Sequence, residues 1–301
     1  MRLRLFRSRI PSMNLKNTLL IGLILSLSAS AQNSPSRAGW PTELRFGVIP
    51  LEVSKETKAR FAPLVKHLEK TLKMPVKLSI GADYAAVITA MQFGKLELAY
   101  FGPGAYVLAA DRGIAQAFAM ENTLESGTGD FSYIVTKASS KIRTLQDATK
   151  ASFAFVDPNS TSGYLLPMRH FYVDLKLEPQ KFFSQVVFSG SHEASIEGLV
   201  EGTFDVAVTS GHEVGVAIRD KEIRGWQDLR VLWKSPAIPT APLAYRQDLP
   251  QSFKTALRDA IVNFKDPSAL KVMQLKGFAS AQDIDYSGVR ELTQFQKTLK
   301  K

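Results

Sequence analysis

Strand-type and helix-type hydrophobic patterns alternate along this chain, and a chain built that way folds as an α/β protein with helices covering both faces of its sheets. Leu44–Pro50 reads as a strand closed by Pro50, and Phe61, Leu64, Val65, Leu68 and Leu72 recur at helical spacing, with Pro63 tolerated early in the helix. Val76–Ile80 is the next strand. Asp83 then caps a helix whose apolar face is Tyr84, Val87, Ile88 and Met91, ending at Gly94. Leu96, Leu98 and Tyr100 alternate as a strand, and Gly102-Pro103-Gly104 turns into another helix. An extended segment, Phe131–Lys137, ends this first run. The second run has strands at Ala151–Val156, Val186–Phe188 and Phe204–Val208, a helix marked by Ile196, Leu199 and Val200, a strand at Leu243–Tyr245 and a helix around Ser252–Asn263. The expected architecture is two α/β lobes with mixed, mostly parallel sheets. The chain crosses between them near 133–140 and 235–243, so lobe 1 comprises 44–134 and 242–301 and lobe 2 comprises 135–241. A cleft between such lobes lies where the sheets present their strand ends.

The first 31 residues are set apart as an export signal. Arg2, Arg4, Arg7, Arg9 and Lys16 precede the apolar run Leu19–Leu27, and Ala29-Ser30-Ala31 offers a small-x-small cleavage site before Gln32. The run is shorter than the roughly 20 residues that a membrane-spanning helix needs. Residues 32–43 are expected to be a linker. Removing the leader takes the formal charge from +10 to +5, and the remaining surplus is dispersed, which argues against a nucleic-acid partner. With no cysteine in the chain, a disulfide scaffold, a thiolate metal site, a cysteine nucleophile and a lipid-modified N-terminal cysteine are all excluded. The mature protein is expected to be free in the periplasm.

One segment concentrates chemistry. Asp157-Pro158-Asn159-Ser160-Thr161-Ser162-Gly163 follows a strand and opens a helix. Small hydroxyl residues at such a turn place backbone N–H groups and three O–H donors where a tetrahedral oxyanion fits without Lys or Arg. The same run also serves as an ordinary Ser/Thr cap. His192, in Gly190-Ser191-His192-Glu193, is either a second oxyanion donor or a cap or core histidine. Tyr84 offers a phenol or a core ring. His212-Glu213 falls at a strand end that can face the cleft. His67 and His170 are scattered, with no H-E-x-x-H or other ligand spacing, so no metal is expected. There is no G-x-S-x-G, no Walker loop and no G-x-G-x-x-G after the first strand, and nothing argues for catalysis or a cofactor.

With these residues in view, the chain resembles the periplasmic phosphonate-binding proteins of ABC importers, within the wider phosphate, phosphite and phosphonate solute-binding group. The resemblance is carried by LRFGVIP (44–50), DYAAVITAMQFG (83–94), LAYFGPG (98–104), DPNSTSG (157–163), GSHE (190–193), FDVA (204–207) and LWKSPAIPTAP (232–242). It implies a type II clamshell that closes over a small oxyanion and delivers it to an inner-membrane permease as a monomer. The same closure also serves an anion sensor with a signalling partner. The resemblance implies ligand contacts from Tyr84, Ser160, Thr161, Ser162 and His192, with Glu213 matching a family acid. It also marks two departures. Ala241 stands where the family has an aspartate, and a family tyrosine falls near Asp130 or Phe131.

Overall fold

The computed structural model describes residues 37–51 and 54–299, so the leader and the first residues of the expected linker lie outside the described residues. The described end of that linker is docked. The Trp40 indole N–H donates to Ser252 Oγ (2.9 Å), and its ring meets Phe253 edge-on at 5.0 Å.

The first run of elements is β1 (Leu44–Val48), α1 (Ser54–Leu72), β2 (Val76–Ile80), α2 (Tyr84–Gln92), β3 (Leu98–Tyr100), α3 (Pro103–Ala110) and β4 (Ala115–Thr123). A short β5 (Gly129–Asp130) leads into β6 (Ser132–Lys137) and β7 (Ser152–Phe155). A helical run over 161–174 follows, with α4 (Leu166–Arg169) at its centre and a wide turn on either side. Then come α5 (Pro179–Phe182), β8 (Gln185–Phe188), α6 (His192–Glu201), β9 (Val206–Ser210), α7 (Gly211–Arg219), β10 (Leu229–Lys234), β11 (Ile238–Pro239) and β12 (Pro242–Arg246). The chain ends through α8 (Gln251–Val262), α9 (Pro267–Val272), β13 (Leu275–Ser280) and α10 (Ser287–Leu299).

Lobe 1 is built on a six-stranded sheet of order β13-β4-β12-β3-β1-β2, and lobe 2 on a five-stranded sheet of order β10-β6-β9-β7-β8. The two crossings pair with each other as a ribbon, Ile238 opposite Asp130 and Pro239 opposite Gly129. The sheets are mixed, but the expected parallel majority is not found. The parallel ladders are β1/β2, β1/β3, β7/β8 and β7/β9, and the other six are antiparallel. Strands β4, β10 and β13, which all pair antiparallel, were not anticipated. The first crossing also comes earlier than expected. All of β6 pairs within the five-stranded sheet, so a division at 134/135 would cut that strand.

Burial follows strand alternation. In lobe 2, Tyr133, Val135, Ala154 and Ala207 pack on one face of the sheet and Ile134, Phe153, Phe155, Val206 and Val208 on the other. Both faces are covered, which is why these strands read as continuous apolar runs. In lobe 1, Phe61 of α1 sits edge-on to Phe46 (5.7 Å) and Tyr100 (5.2 Å), contacts worth about 0.5–1.5 kcal/mol each beyond burial. Expected as part of lobe 1, α10 touches both lobes. Val289 joins the lobe 1 core, Leu292 packs with Leu165, Leu166 and Ile238, and Gln296 Nε2 donates to the Pro158 carbonyl (3.0 Å).

Candidate functional site

A cavity of about 50 Å³ lies between the lobes. One water needs roughly 10–15 Å³ of such space, so the cavity suits a small solute rather than an extended one. Lobe 1 lines it with Tyr84, Tyr100 and Glu121, and lobe 2 with Ser160–Ser162, His212 and Glu213; Asp130 and Ala241, at the crossings, complete the wall.

The donor side is formed by the turn after β7. Asp157 O accepts from the Ser160 N–H (2.9 Å), and the Asp157 carboxylate accepts from the Asn159 N–H (2.7 Å). Burial raises the Asp157 carboxyl above the usual range, opposed by the N–H groups of Asn159 and Tyr84. The Ser160 hydroxyl accepts from the Gly163 N–H (2.9 Å), which caps the helical run and leaves the hydroxyl proton to donate. The first turn is wide, since the Leu165 N–H bonds back to Ser160 O (3.0 Å). Gly163 makes that turn possible, because a Cβ there would stand 2.4 Å from Val156 Cβ. Thr161 is 1 % exposed, lines the cavity, and its hydroxyl has no hydrogen-bond partner in the protein. A buried hydroxyl without a partner is costly, and a ligand oxygen is the group that would satisfy it. Tyr84, opening α2 behind the Asp83 cap, is fully buried; desolvation raises its phenol far above the usual value, so it stays a neutral donor.

The opposite side is acidic and contains a buried cation. Arg60, on α1, is 1 % exposed. Its guanidinium lies 3.7 Å from Glu121 Oε1, 3.6 Å from Glu213 Oε1 and 2.5 Å from His212 Nε2. Burial, then the charge of Arg60, holds His212 well below the usual imidazole range, so His212 is neutral and accepts from Arg60. The Tyr100 hydroxyl donates to Glu121 Oε2 (2.9 Å). Asp130 Oδ1 accepts the backbone N–H groups of Phe131 (2.8 Å) and His212 (3.3 Å) at the start of α7. Burial nevertheless pushes its pKa up to about 6.

Of the residues expected from sequence, Tyr84, Ser160, Thr161, Ser162 and Glu213 all line the cavity. His192 does not. It stands behind Ser162, with Nε2 3.5 Å from Ser162 Oγ and Nδ1 3.4 Å from Thr209 Oγ1. Burial depresses its pKa to about 4, so a neutral imidazole braces the Ser162 hydroxyl. Sequence reasoning missed Arg60, Glu121, Asp130 and Tyr100. Among the described residues no group of three or more His, Asp and Glu is arranged to hold a metal ion.

The lobes meet closely beside the donor turn. A Cβ on Gly104 of α3 would stand 2.6 Å from the Asn159 carbonyl oxygen and 3.1 Å from Thr161 Oγ1. Backbone on both sides has no room to yield, so Gly104→Ala is expected to hold the lobes apart. Ligand affinity should fall about tenfold or more while the unliganded melting temperature shifts by only a few degrees. Calorimetry beside a thermal melt checks this; unchanged affinity would show that ligand binding does not require this contact.

The model of a family described as the periplasmic substrate-binding protein of phosphonate ABC transporters matches residues 46–286. The chain is 27% identical to the phosphonates-binding periplasmic protein of Escherichia coli, over 95% of this chain and 86% of that one. It is 28% identical to a phosphate-import protein of Mycolicibacterium smegmatis, over 89% and 91%. A solved structure from Pseudomonas aeruginosa, a binding-protein component of an ABC phosphonate transporter, is similar with a TM-score of 0.79. That likeness has 29% identity and covers 85% of this chain and 86% of the other. The matched span contains every cavity residue named above, and the chain belongs to the family of periplasmic substrate-binding proteins of phosphonate ABC transporters.

Proposed function

We propose that this protein captures a small phosphorus oxyanion (phosphonate, phosphite or phosphate) by closing its lobes and hands it to an ABC importer permease without chemical change. The observation that carries this reading is the buried, unpartnered Thr161 hydroxyl, set between Ser160 and Ser162 in a cavity that Tyr84 enters from the other lobe. Neutral hydroxyl and phenol donors form charge-assisted bonds to an oxyanion without placing a Lys or Arg side chain in the contact. His192 orients Ser162 rather than touching the ligand, and Glu213 faces the cavity as an acceptor for a protonated ligand oxygen. We further propose export with cleavage after Ala31 and a hinge at the β5/β11 ribbon, through which both chain crossings pass. No helix among the described residues is long and apolar enough to cross a membrane.

The test is thermal. Residues 32–301 are melted against phosphate, phosphite, sulfate, methylphosphonate and 2-aminoethylphosphonate. A ligand of the native state at 100 times its Kd adds roughly 2.7 kcal/mol of stability. A rise with a phosphorus oxyanion and none with sulfate is the expected result; no rise with any phosphorus compound would defeat the reading.

A further inference from the structure

The acids of the cavity wall already have partners within the protein. Glu121 receives the Tyr100 hydroxyl at 2.9 Å and lies 3.7 Å from Arg60, and Glu213 lies 3.6 Å from Arg60. Asp130 receives the N–H groups that open α7. Arg60 does not itself line the cavity; it sits behind the two glutamates, carried by lobe 1 and reaching His212 and Glu213 of lobe 2. A guanidinium stays charged at any physiological pH and holds two carboxylates in a fixed fork. An ammonium group brought in by a ligand would meet carboxylates whose negative charge this cation already offsets in part, and would add a second positive charge near it.

We propose that Arg60 is a specificity-determining residue of this cavity: as a built-in cation behind Glu121 and Glu213, it selects phosphorus oxyanions whose remaining substituent is uncharged over those carrying an ammonium group. This rests on the oxyanion reading above and narrows its ligand class to oxyanions bearing hydrogen, hydroxyl or small alkyl groups. Because Arg60 joins the lobes, its contacts with His212 and Glu213 are also completed by closure.

The test compares Kd for methylphosphonate and 2-aminoethylphosphonate by calorimetry on the mature protein and three variants, with melting curves to verify folding. Wild type is expected to favour methylphosphonate by about tenfold or more. Arg60→Gln leaves the glutamates without their cation, and the preference should move at least about tenfold toward the amino ligand. The charge-balanced double variant Arg60→Gln, Glu213→Gln should restore the wild-type preference. Glu213→Gln alone keeps Arg60 and removes one acid, so it should strengthen the preference for methylphosphonate; it carries the test if Arg60→Gln does not fold. A wild-type preference for the amino ligand would overturn the proposal, as would a preference unchanged by both Arg60→Gln and Glu213→Gln. Binding by wild type of neither ligand, nor of phosphate or phosphite, would overturn the oxyanion reading itself, whereas binding both ligands without discrimination would overturn this proposal alone.

Discussion

Thr161→Val is expected to lower oxyanion affinity by about 10- to 150-fold while leaving the unliganded protein at least as stable as before. The two signs have one cause. With the lobes closed, the Thr161 hydroxyl is buried and has no partner within the protein, so closure without an anion carries its desolvation cost. Valine keeps the shape of threonine and removes that cost. With ligand, the hydroxyl donates to an anion, a bond worth about 1.5–3 kcal/mol, which valine forfeits. Calorimetry gives the first sign and a melt without ligand the second. A variant that loses stability and keeps affinity would mean that Thr161 is an ordinary core residue, and the donor side of the cavity would have to be reassigned. Ser160→Ala makes a useful contrast. Its hydroxyl also caps the helical run through the Gly163 N–H, so it should lose stability and affinity together.

The donor side was legible because its chemistry is contiguous. Seven residues after β7 hold the carboxylate, the cap, the free hydroxyl and the glycine that lets the turn pack on Val156. Of the acidic side only His212-Glu213 was legible, because the other members, Arg60, Tyr100, Glu121 and Asp130, come from four separate places in the chain. Arg60 stands on the stripe it shares with Phe61 and Leu64, and a charge within an apolar stripe is a signal, but the stripe was counted from Phe61 onward. Glu121 lies on β4, whose sequence AQAFAMENT has no β-branched residue before Thr123, so the strand itself went unread. The same poverty hides β13, LKGFAS, and with both strands unseen the sheet looked more parallel than it is. His192 illustrates a different limit. Its place after a strand and at a helix start was correct, yet only packing shows that Ser162 stands between it and the cavity.

Acidification should destabilise the protein between pH 7 and 5, through its buried histidines. His192 titrates near 6.5 when unfolded and at about 4 when folded, because burial disfavours its charged form. Between those values the unfolded chain binds more protons, so stability rises with pH. The His192 contribution is present above about 6.5 and lost as pH falls toward 4, with a ceiling of about 3 kcal/mol. His212 acts in the same direction. Asp130 opposes them. Its folded pKa of about 6 lies above its unfolded value near 3.8, so it favours the native state at low pH and withdraws that support as pH rises through 6. Burial also raises Asp157 and Glu125, which act in the same sense as Asp130, and the two histidines are expected to outweigh these acids and leave a net loss on acidification. Asp130→Asn removes the opposing group while keeping an oxygen that accepts the Phe131 and His212 N–H groups. This variant should therefore melt higher than wild type at pH 7.5 and lose stability more steeply below pH 6. His192→Gln should flatten the slope instead. Melting temperatures across pH 5 to 8 for the three proteins decide the matter, since a profile that is flat in wild type, or steepened by His192→Gln, contradicts the assignment of these groups as buried in the states described.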